Sequence, residues 1–209
     1  MQPASKTAEM PETKRKLVDA GVRLMRLKGF TATTVDDICE AAEVTKGAFF
    51  HYYKSKEDLA KAAITRFGEN QFADSHAAPY RKLADPLQRV YGRLDYVKES
   101  SGGTRHLTKG CLVGTVAQEL SFTHSALRSS CQDAFLRVAG DFEKDLAAAK
   151  SVHAPQADFD PKKLATLFVS IFQGSLIMAK ASEDNTVLSD NLEQFRRYLQ
   201  TLFGQNSKN

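Results

Sequence analysis

Residues 31–56 read Thr-Ala-Thr-Thr-Val-Asp-Asp-Ile-Cys-Glu-Ala-Ala-Glu-Val-Thr-Lys-Gly-Ala-Phe-Phe-His-Tyr-Tyr-Lys-Ser-Lys and contain the signals of two short helices joined by a tight turn. Thr34, followed three residues later by Asp37, predicts a capping box at the start of the first helix. Ile38 and Ala42 then fall on one inward face of that helix. Two short helices joined in this way are typical of a helix-turn-helix that reads DNA.

The second helix is expected to begin after another cap at Thr45 and to keep Phe49 and Tyr53 on its inner side. Its outer side then carries the residues that a recognition helix presents to a major groove. The stretch Thr-Thr-Val-Asp-Asp-Ile, followed by Val-Thr-Lys-Gly-Ala-Phe-Phe-His-Tyr-Tyr-Lys-Ser-Lys-Glu-Asp-Leu, resembles the TetR/AcrR family of bacterial transcriptional regulators. The match is dense over about the first third of the chain. The rest of the chain agrees with the family in its length, its helical character and its C-terminal position.

This resemblance implies an all-α protein of about nine helices, in which a three-helix helix-turn-helix domain precedes a larger helical domain for ligand binding and dimerisation. The implied partners are a double-stranded DNA operator, a second copy of the chain and a small-molecule or electrophile effector. Neither a cofactor nor a metal is implied. The identity of the effector does not follow from the resemblance.

Carried over residue by residue, the resemblance assigns base reading to the start of the second helix. Lys46 can donate to guanine, Gly47 lets the backbone approach the groove, and the methyl group of Ala48 can pack on a thymine methyl. Phe50 has two open interpretations, packing on a thymine or packing in the protein core. The remaining residues are expected to contact phosphates or base edges. The expected DNA-contacting set is Thr34, Thr45, Lys46, Gly47, Ala48, Phe50, His51, Tyr52 and Lys56.

Composition and charge exclude several classes of protein. The chain has 209 residues and a net charge of +4, most of it in the first third, where phosphate contact would require it. Its N-terminus lacks a signal-peptide core, and no stretch approaches the roughly 20 uninterrupted apolar residues of a membrane span. We therefore expect a soluble cytoplasmic protein without a membrane partner. The three cysteines are widely spaced, which predicts reduced thiols rather than disulfides or a zinc site.

The rest of the chain shows helical periodicity interrupted by breakers. Pro79 and Pro86 separate a connecting helix from the next one, and the run 100–103 reads Ser-Ser-Gly-Gly. Asp160 and Pro161 open a late helix as N-cap and first residue. The expected divisions are a disordered arm at 1–10, a helix-turn-helix domain at 11–56, a connecting helix at 57–72 and a regulatory and dimerisation domain at 73–209.

The last two helices carry apolar residues in the steps of a helix packed lengthwise on another. A single chain could satisfy this pattern internally, whereas the family resemblance implies a four-helix bundle between two copies, with Gly174 and Ser175 allowing close approach. We favour the dimer. The expected interface residues are Leu164, Phe168, Ile171, Ser175, Leu188, Leu192, Phe195, Leu199 and Leu202.

Cys111 has three interpretations. As a catalytic nucleophile it would need His106, but no third group orients this pair, so enzymatic activity is not expected. As a sensor it would lie near a helix N-terminus, with Arg105 and Lys109 favouring its thiolate. The segment Gly-Cys-Leu is similar to a subset of the family in which a cysteine senses electrophiles. As a small buried residue it would be inert, which is the commoner case.

A conventional effector pocket between the regulatory helices is the more general expectation. Apolar positions at helical spacing are candidates for its wall, although most such positions fill a core. Together with the sensor cysteine, the candidates are Tyr91, Leu94, Cys111, Val116, Leu120, Phe135, Val138, Phe168, Phe172 and Met178.

The sequence thus predicts a ligand- or redox-responsive transcriptional repressor that binds a palindromic operator as a homodimer. Two alternatives stay open. A nucleoid-type protein would coat DNA without sequence preference, which the small net charge disfavours. A helical enzyme using Cys111 would need a polar constellation that the sequence does not show.

Overall fold

The computed structural model describes residues 10–101 and 110–205. The predicted N-terminal arm lies outside these residues, apart from its last residue, and so do the glycines of the run 100–103. Within the described ranges the chain is all-α, as predicted. Its nine α-helices are α1 (Glu12–Lys28), α2 (Val35–Ala42), α3 (Lys46–Tyr52), α4 (Lys56–Ala77), α5 (Pro86–Ser101), α6 (Leu112–Leu120), α7 (Ser125–His153), α8 (Pro161–Ser182) and α9 (Thr186–Leu202), with a short 3₁₀ helix at Pro79–Lys82 between α4 and α5.

Helix boundaries follow the local signals read from the sequence. Thr34, Thr45 and Ser55 cap α2, α3 and α4, each accepting a hydrogen bond from a backbone N–H two or three residues into its helix. Asp160 does the same for α8, whose first residue is Pro161. These caps satisfy backbone donors that would otherwise have no partner.

Two buried apolar clusters organise the chain. The first joins α1 to α4 with α6 and the first turns of α7, through residues such as Leu17, Phe49, Leu59 and Leu112. The second joins α5, α7, α8 and α9. Since α6 contributes to the first cluster, the helix-turn-helix packs with a helix that begins more than 50 residues beyond the predicted domain.

Helix α4 connects the two ends of the molecule. It begins beside the helix-turn-helix and continues to Ala77, longer than the predicted 57–72, packing on α1 at its start and on α7 farther along. One continuous helix therefore runs from the helix-turn-helix to α7.

Candidate nucleic-acid interface and effector cavity

The turn between α2 and α3 is closed by local hydrogen bonds. The backbone N–H of Asp37 donates to Thr34 Oγ1 at 3.0 Å, and the N–H of Thr34 donates back to Asp37 Oδ2 at 2.7 Å. Glu43 ends α2 with φ of 56°, a left-handed conformation that reverses the chain. Thr45 Oγ1 then accepts from the N–H of Ala48 at 3.2 Å. Two caps and one left-handed residue thus set the angle at which α3 leaves the turn.

Helix α3 is divided into an inner and an outer face by adjacent aromatic residues. Phe49 is fully buried and Tyr53 is 6% exposed, whereas the side chain of Phe50 is 55% exposed. Lys46, Gly47 and His51 are also exposed, and Ala48 and Tyr52 are half-buried. The outer face therefore offers a cation, a hydrogen-bonding ring and an apolar ring side by side, a combination suited to base edges and phosphates.

The cation at the start of α3 is held by a carboxylate in the free protein. Lys46 Nζ lies 2.7 Å from Asp36 Oδ1, and both side chains are largely exposed. The hydrogen bond from Lys46 to Asp36 raises the pKa of Lys46. An exposed pair of this kind is weak and can be exchanged for a DNA acceptor.

Lys56 takes part in the packing of the loop between α1 and α2. Its Nζ donates to the carbonyl oxygens of Phe30 at 2.9 Å and Thr33 at 2.7 Å, and it lies 4.2 Å from the centre of the Phe30 ring. This position beside the N-terminus of α4 leaves one ammonium hydrogen for another acceptor.

The same loop is held from the opposite side by α6. Glu119 accepts from the backbone N–H groups of Phe30 at 3.2 Å and Thr31 at 2.8 Å. Gly29, with φ of 87°, permits this approach, because a Cβ at that position would overlap the Glu119 carboxylate. Sequence reasoning missed Glu119, and its only local sign was the glycine ending α1.

Helix α6 also contacts α1 at its other end. Arg26 Nε donates to the carbonyl oxygen of Gly110 at 3.0 Å, just before Cys111 at the N-cap of α6. A helix of nine residues thus reaches from the loop before α2 to the wall of a cavity. A movement of α6 would therefore displace the loop before α2.

That cavity has a volume of about 510 Å³ and lies between α4, α5, α7, α8 and the start of α6. Five of the ten candidate positions line it, namely Cys111, Phe135, Val138, Phe168 and Phe172. Four others, Tyr91, Leu94, Val116 and Leu120, are buried in the two apolar clusters instead. Met178 is 57% exposed on α8 and is not among the lining residues. Helical spacing therefore did not separate residues that line the cavity from residues that fill the core or lie on the surface.

An ionic cluster borders the cavity through Arg93 and Asp141. Asp141 on α7 accepts from Arg81 and from Arg93, and it lies 3.7 Å from His76 on α4. Asp145, one turn later, accepts from Arg81 at 3.3 Å and from Arg89 at 3.1 Å. Burial acts to raise the pKa of Asp141, but the attraction of Arg93 and the hydrogen bond from Arg81 outweigh it and the pKa is lowered. The cluster joins α5 and α7 to the end of α4.

Cys111 is half-buried and lines the cavity, while Cys39 and Cys131 are buried. Burial raises the pKa of the Cys131 thiol to about 11, which makes it a poor nucleophile at neutral pH. Arg105, His106 and Lys109, the groups invoked around Cys111, lie outside the described residues. Among residues 10–101 and 110–205, no three His, Cys, Asp or Glu side chains are grouped to hold a metal ion.

Most of the residues expected at a dimer interface lie within the core of the single chain. Leu188, Leu192, Phe195 and Leu199 are at most 2% exposed, packed against α5, α7 and α8. Leu164, Phe168 and Ser175 are likewise buried, and only Ile171 and Leu202 are half-buried. The lengthwise pattern is therefore satisfied internally, which is the alternative that the spacing left open.

Three large apolar side chains are exposed on α8 and one on α9. Leu167, Ile177 and Met178 on α8 are 42–57% exposed, and Tyr198 on α9 is 46% exposed. A Cβ added at Gly174 would meet nothing within 4 Å. By length and composition α8 could also cross a membrane, but the core helix of a soluble protein passes the same test, so this is weak evidence.

Both the N-terminal and the C-terminal part of the chain are similar to known proteins. Residues 17–63 match the family model described as bacterial regulatory proteins, tetR family, and residues 86–195 match the tetracyclin repressor-like C-terminal domain. The chain is 30% identical over 178 residues to the transcriptional regulator AcuR of Cereibacter sphaeroides, covering 79% of this chain and 75% of that protein. It is 25% identical to the HTH-type transcriptional repressor DhaR of Mycobacterium sp. (strain GP1), covering 87% of each. A regulatory protein TetR from Rhodobacter sphaeroides superposes with a TM-score of 0.77 at 26% identity, covering 93% of this chain and 99% of that one.

Proposed function

Because this chain belongs to the TetR family of bacterial regulatory proteins, we propose that it represses transcription by binding a palindromic operator as a homodimer and releases the operator when an effector occupies its cavity. As a member of this family it is a helix-turn-helix transcriptional regulator with an effector-binding C-terminal domain. The cytoplasm is the compartment in which it would meet DNA.

The observation that carries the proposal is the outward face of α3. Phe49 anchors the helix in the core, while Lys46, Phe50 and His51 project from it. Phe50 packs edge-on against Phe49, with the two ring centroids 5.2 Å apart, but more than half of its surface stays exposed. Together with Lys46, this exposed surface matches the methyl groups and acceptors of a major groove. Gly47 and Ala48 have small side chains, so the backbone of α3 can approach the floor of the groove closely. Thr34, Thr45, Tyr52 and Lys56 would contact phosphates beside it.

Dimerisation would use the exposed face of α8 and α9 rather than the buried stripe. Leu167, Ile177, Met178 and Tyr198 supply its apolar surface, and Gly174 leaves room for a partner helix. Replacing Gly174 with Gln should leave the single chain folded, because the new side chain meets open space. We expect this variant to sediment as a monomer and to lose operator binding. Gly140→Gln on α7, where an added Cβ also meets nothing within 4 Å, serves as a control for the substitution itself.

The cavity is the proposed effector site, with Cys111 as a candidate thiol sensor on its wall. Methyl methanethiosulfonate would test the sensor. We expect it to modify Cys111 first and to reduce DNA affinity, with a Cys111→Ser variant unaffected. Unchanged DNA affinity after complete modification would leave Cys111 as a wall residue only.

The decisive experiment is selection of bound duplexes from a random DNA library at physiological salt, followed by sequencing. We expect an enriched inverted repeat whose half-site centres lie about 34–36 Å apart, or a multiple of that distance, bound by two chains. Binding without enrichment would support the nucleoid-type alternative. Absence of binding would reject the proposed function.

A further inference from the structure

The cavity wall is mostly apolar and aromatic. Rings of Phe67, Phe72, Tyr96, Phe135 and Phe172 lie around it, from four different helices. Such a wall favours a ligand with a flat or chain-like hydrocarbon body. The charged groups of the wall then decide which polar group that body carries.

Arg93 is the most deeply buried charge on the wall. It is 5% exposed, and its guanidinium stacks near the Phe142 ring at 5.1 Å. Nη2 makes the contacts to Asp141 and Ser75, while Nη1 is buried and has no hydrogen-bond partner among the described residues. A buried guanidinium nitrogen without an acceptor is costly, so a missing acceptor is expected nearby.

The ionic cluster is also unbalanced in charge. It contains the guanidinium groups of Arg81, Arg89 and Arg93 but only the carboxylates of Asp141 and Asp145. Arg81 and Arg89 lie outside the cavity lining and are 18% and 22% exposed, whereas Arg93 on the wall shares its counter-ion, Asp141, with Arg81. Because buried charges in proteins are generally compensated, a second acceptor is expected beside Arg93.

Three other charged groups of the wall are at the mouth. Asp74, Asp133 and Arg137 are all exposed, so solvent and salt screen their fields. These three exposed groups sum to one negative charge, and none of them is paired with Arg93, whose carboxylate partner is Asp141.

We propose that the effector is an organic anion, a monocarboxylate with an apolar body, whose carboxylate pairs with the guanidinium of Arg93. This inference rests on the proposed role of the cavity as the effector site. Arg is suited to the task because its planar fork binds a carboxylate through two N–H groups. The body of the ligand lies among the rings, and the carboxylate supplies the charge that the ionic cluster lacks.

The test uses matched pairs of probes that differ only in charge: benzoate against benzamide, and hexanoate against hexanamide. Calorimetry on the full-length protein measures their affinities, and fluorescence anisotropy of the selected duplex measures release of DNA. We expect each carboxylate to bind at least tenfold more tightly than its amide and to release DNA, since a charge-assisted hydrogen bond is about twice as strong as a neutral one.

Two arginine variants locate the preference. Arg93→Lys keeps the positive charge opposite Asp141 but loses the fork, and it should reduce the preference for carboxylate several-fold. Arg137→Gln removes an exposed charge at the mouth and should leave the preference unchanged. If Arg93→Lys fails to fold, the affinities of the wild-type protein for acid and amide still show whether the cavity prefers a carboxylate.

Equal affinity for acid and amide, tighter binding of the amide, or no binding of any probe would overturn the proposal. So would a preference that survives Arg93→Lys and disappears in Arg137→Gln. If neutral probes bind in the cavity and release DNA, the effector need not be an anion, but the cavity remains the effector site. If the protein without any probe fails to bind a selected duplex, the proposed function itself has failed.

Discussion

Removal of the Glu119 carboxylate should loosen the loop that precedes α2. Its two oxygens accept the backbone N–H groups of Phe30 and Thr31 at 3.2 and 2.8 Å. Hydrogen bonds to a charged group contribute about 1.5–3 kcal/mol each when desolvated. Glu119 is exposed, which lowers each to about 0.5–1 kcal/mol. We therefore expect Glu119→Ala to lower the free energy of unfolding by about 1–2 kcal/mol.

Urea unfolding measures the stability, and amide hydrogen exchange measures the two N–H groups directly. In Glu119→Ala both should exchange faster, whereas Glu119→Gln, which keeps one accepting oxygen, should lose less stability. Glu69→Ala is the control, because Glu69 is exposed on α4 and has no hydrogen bond or ion pair with the described residues. A Glu119→Ala protein with the wild-type urea midpoint and unchanged exchange at residues 30 and 31 would refute the reasoning.

Three further predictions follow from burial and charge. Phe49→Ala should cost about 3–5 kcal/mol of stability, whereas Phe50→Ala, at 55% exposure, should leave the urea midpoint nearly unchanged and weaken DNA binding; equal destabilisation by both would contradict the assigned faces. Asp141→Asn should destabilise by about 3 kcal/mol because Arg93 loses its counter-charge. The pKa of Asp141 is lowered in the folded protein. Its contribution to the free energy of unfolding is therefore complete above the ordinary aspartate pKa of about 3.9 and is lost as the pH falls below that value. The difference in unfolding free energy between wild type and Asp141→Asn should narrow below that pH. Lys46→Ala should relax base preference at one operator position, whereas Tyr52→Phe should weaken binding to all duplexes alike; equal loss on specific and random DNA for Lys46→Ala would reject its role in base reading.

The helix-turn-helix was predictable because its signals are local. The caps at Thr34 and Thr45 act over three residues, and the inward position of Phe49 follows from helical periodicity within one turn. The all-α fold was predictable for the same reason. The positions of Phe49 and Phe50 around a helix of seven residues were enough to predict that Phe49 faces inward.

Partner choice between distant segments was not predictable. An apolar residue at helical spacing reads the same whether it fills a core, lines a cavity or meets a second chain, so Leu94 and Phe135 looked equivalent and Leu192 looked like an interface. The structure separates them through burial and cavity contact.

The sequence by itself determined the helices, their caps and the outward face of α3, because each depends on residues within one or two turns. Only the tertiary structure decided that Glu119 reaches the loop at Phe30, 89 residues away, and that Arg93 and Asp141, 48 residues apart, meet at the cavity. Such contacts depend on how whole helices pack. No spacing rule within a single helix encodes them.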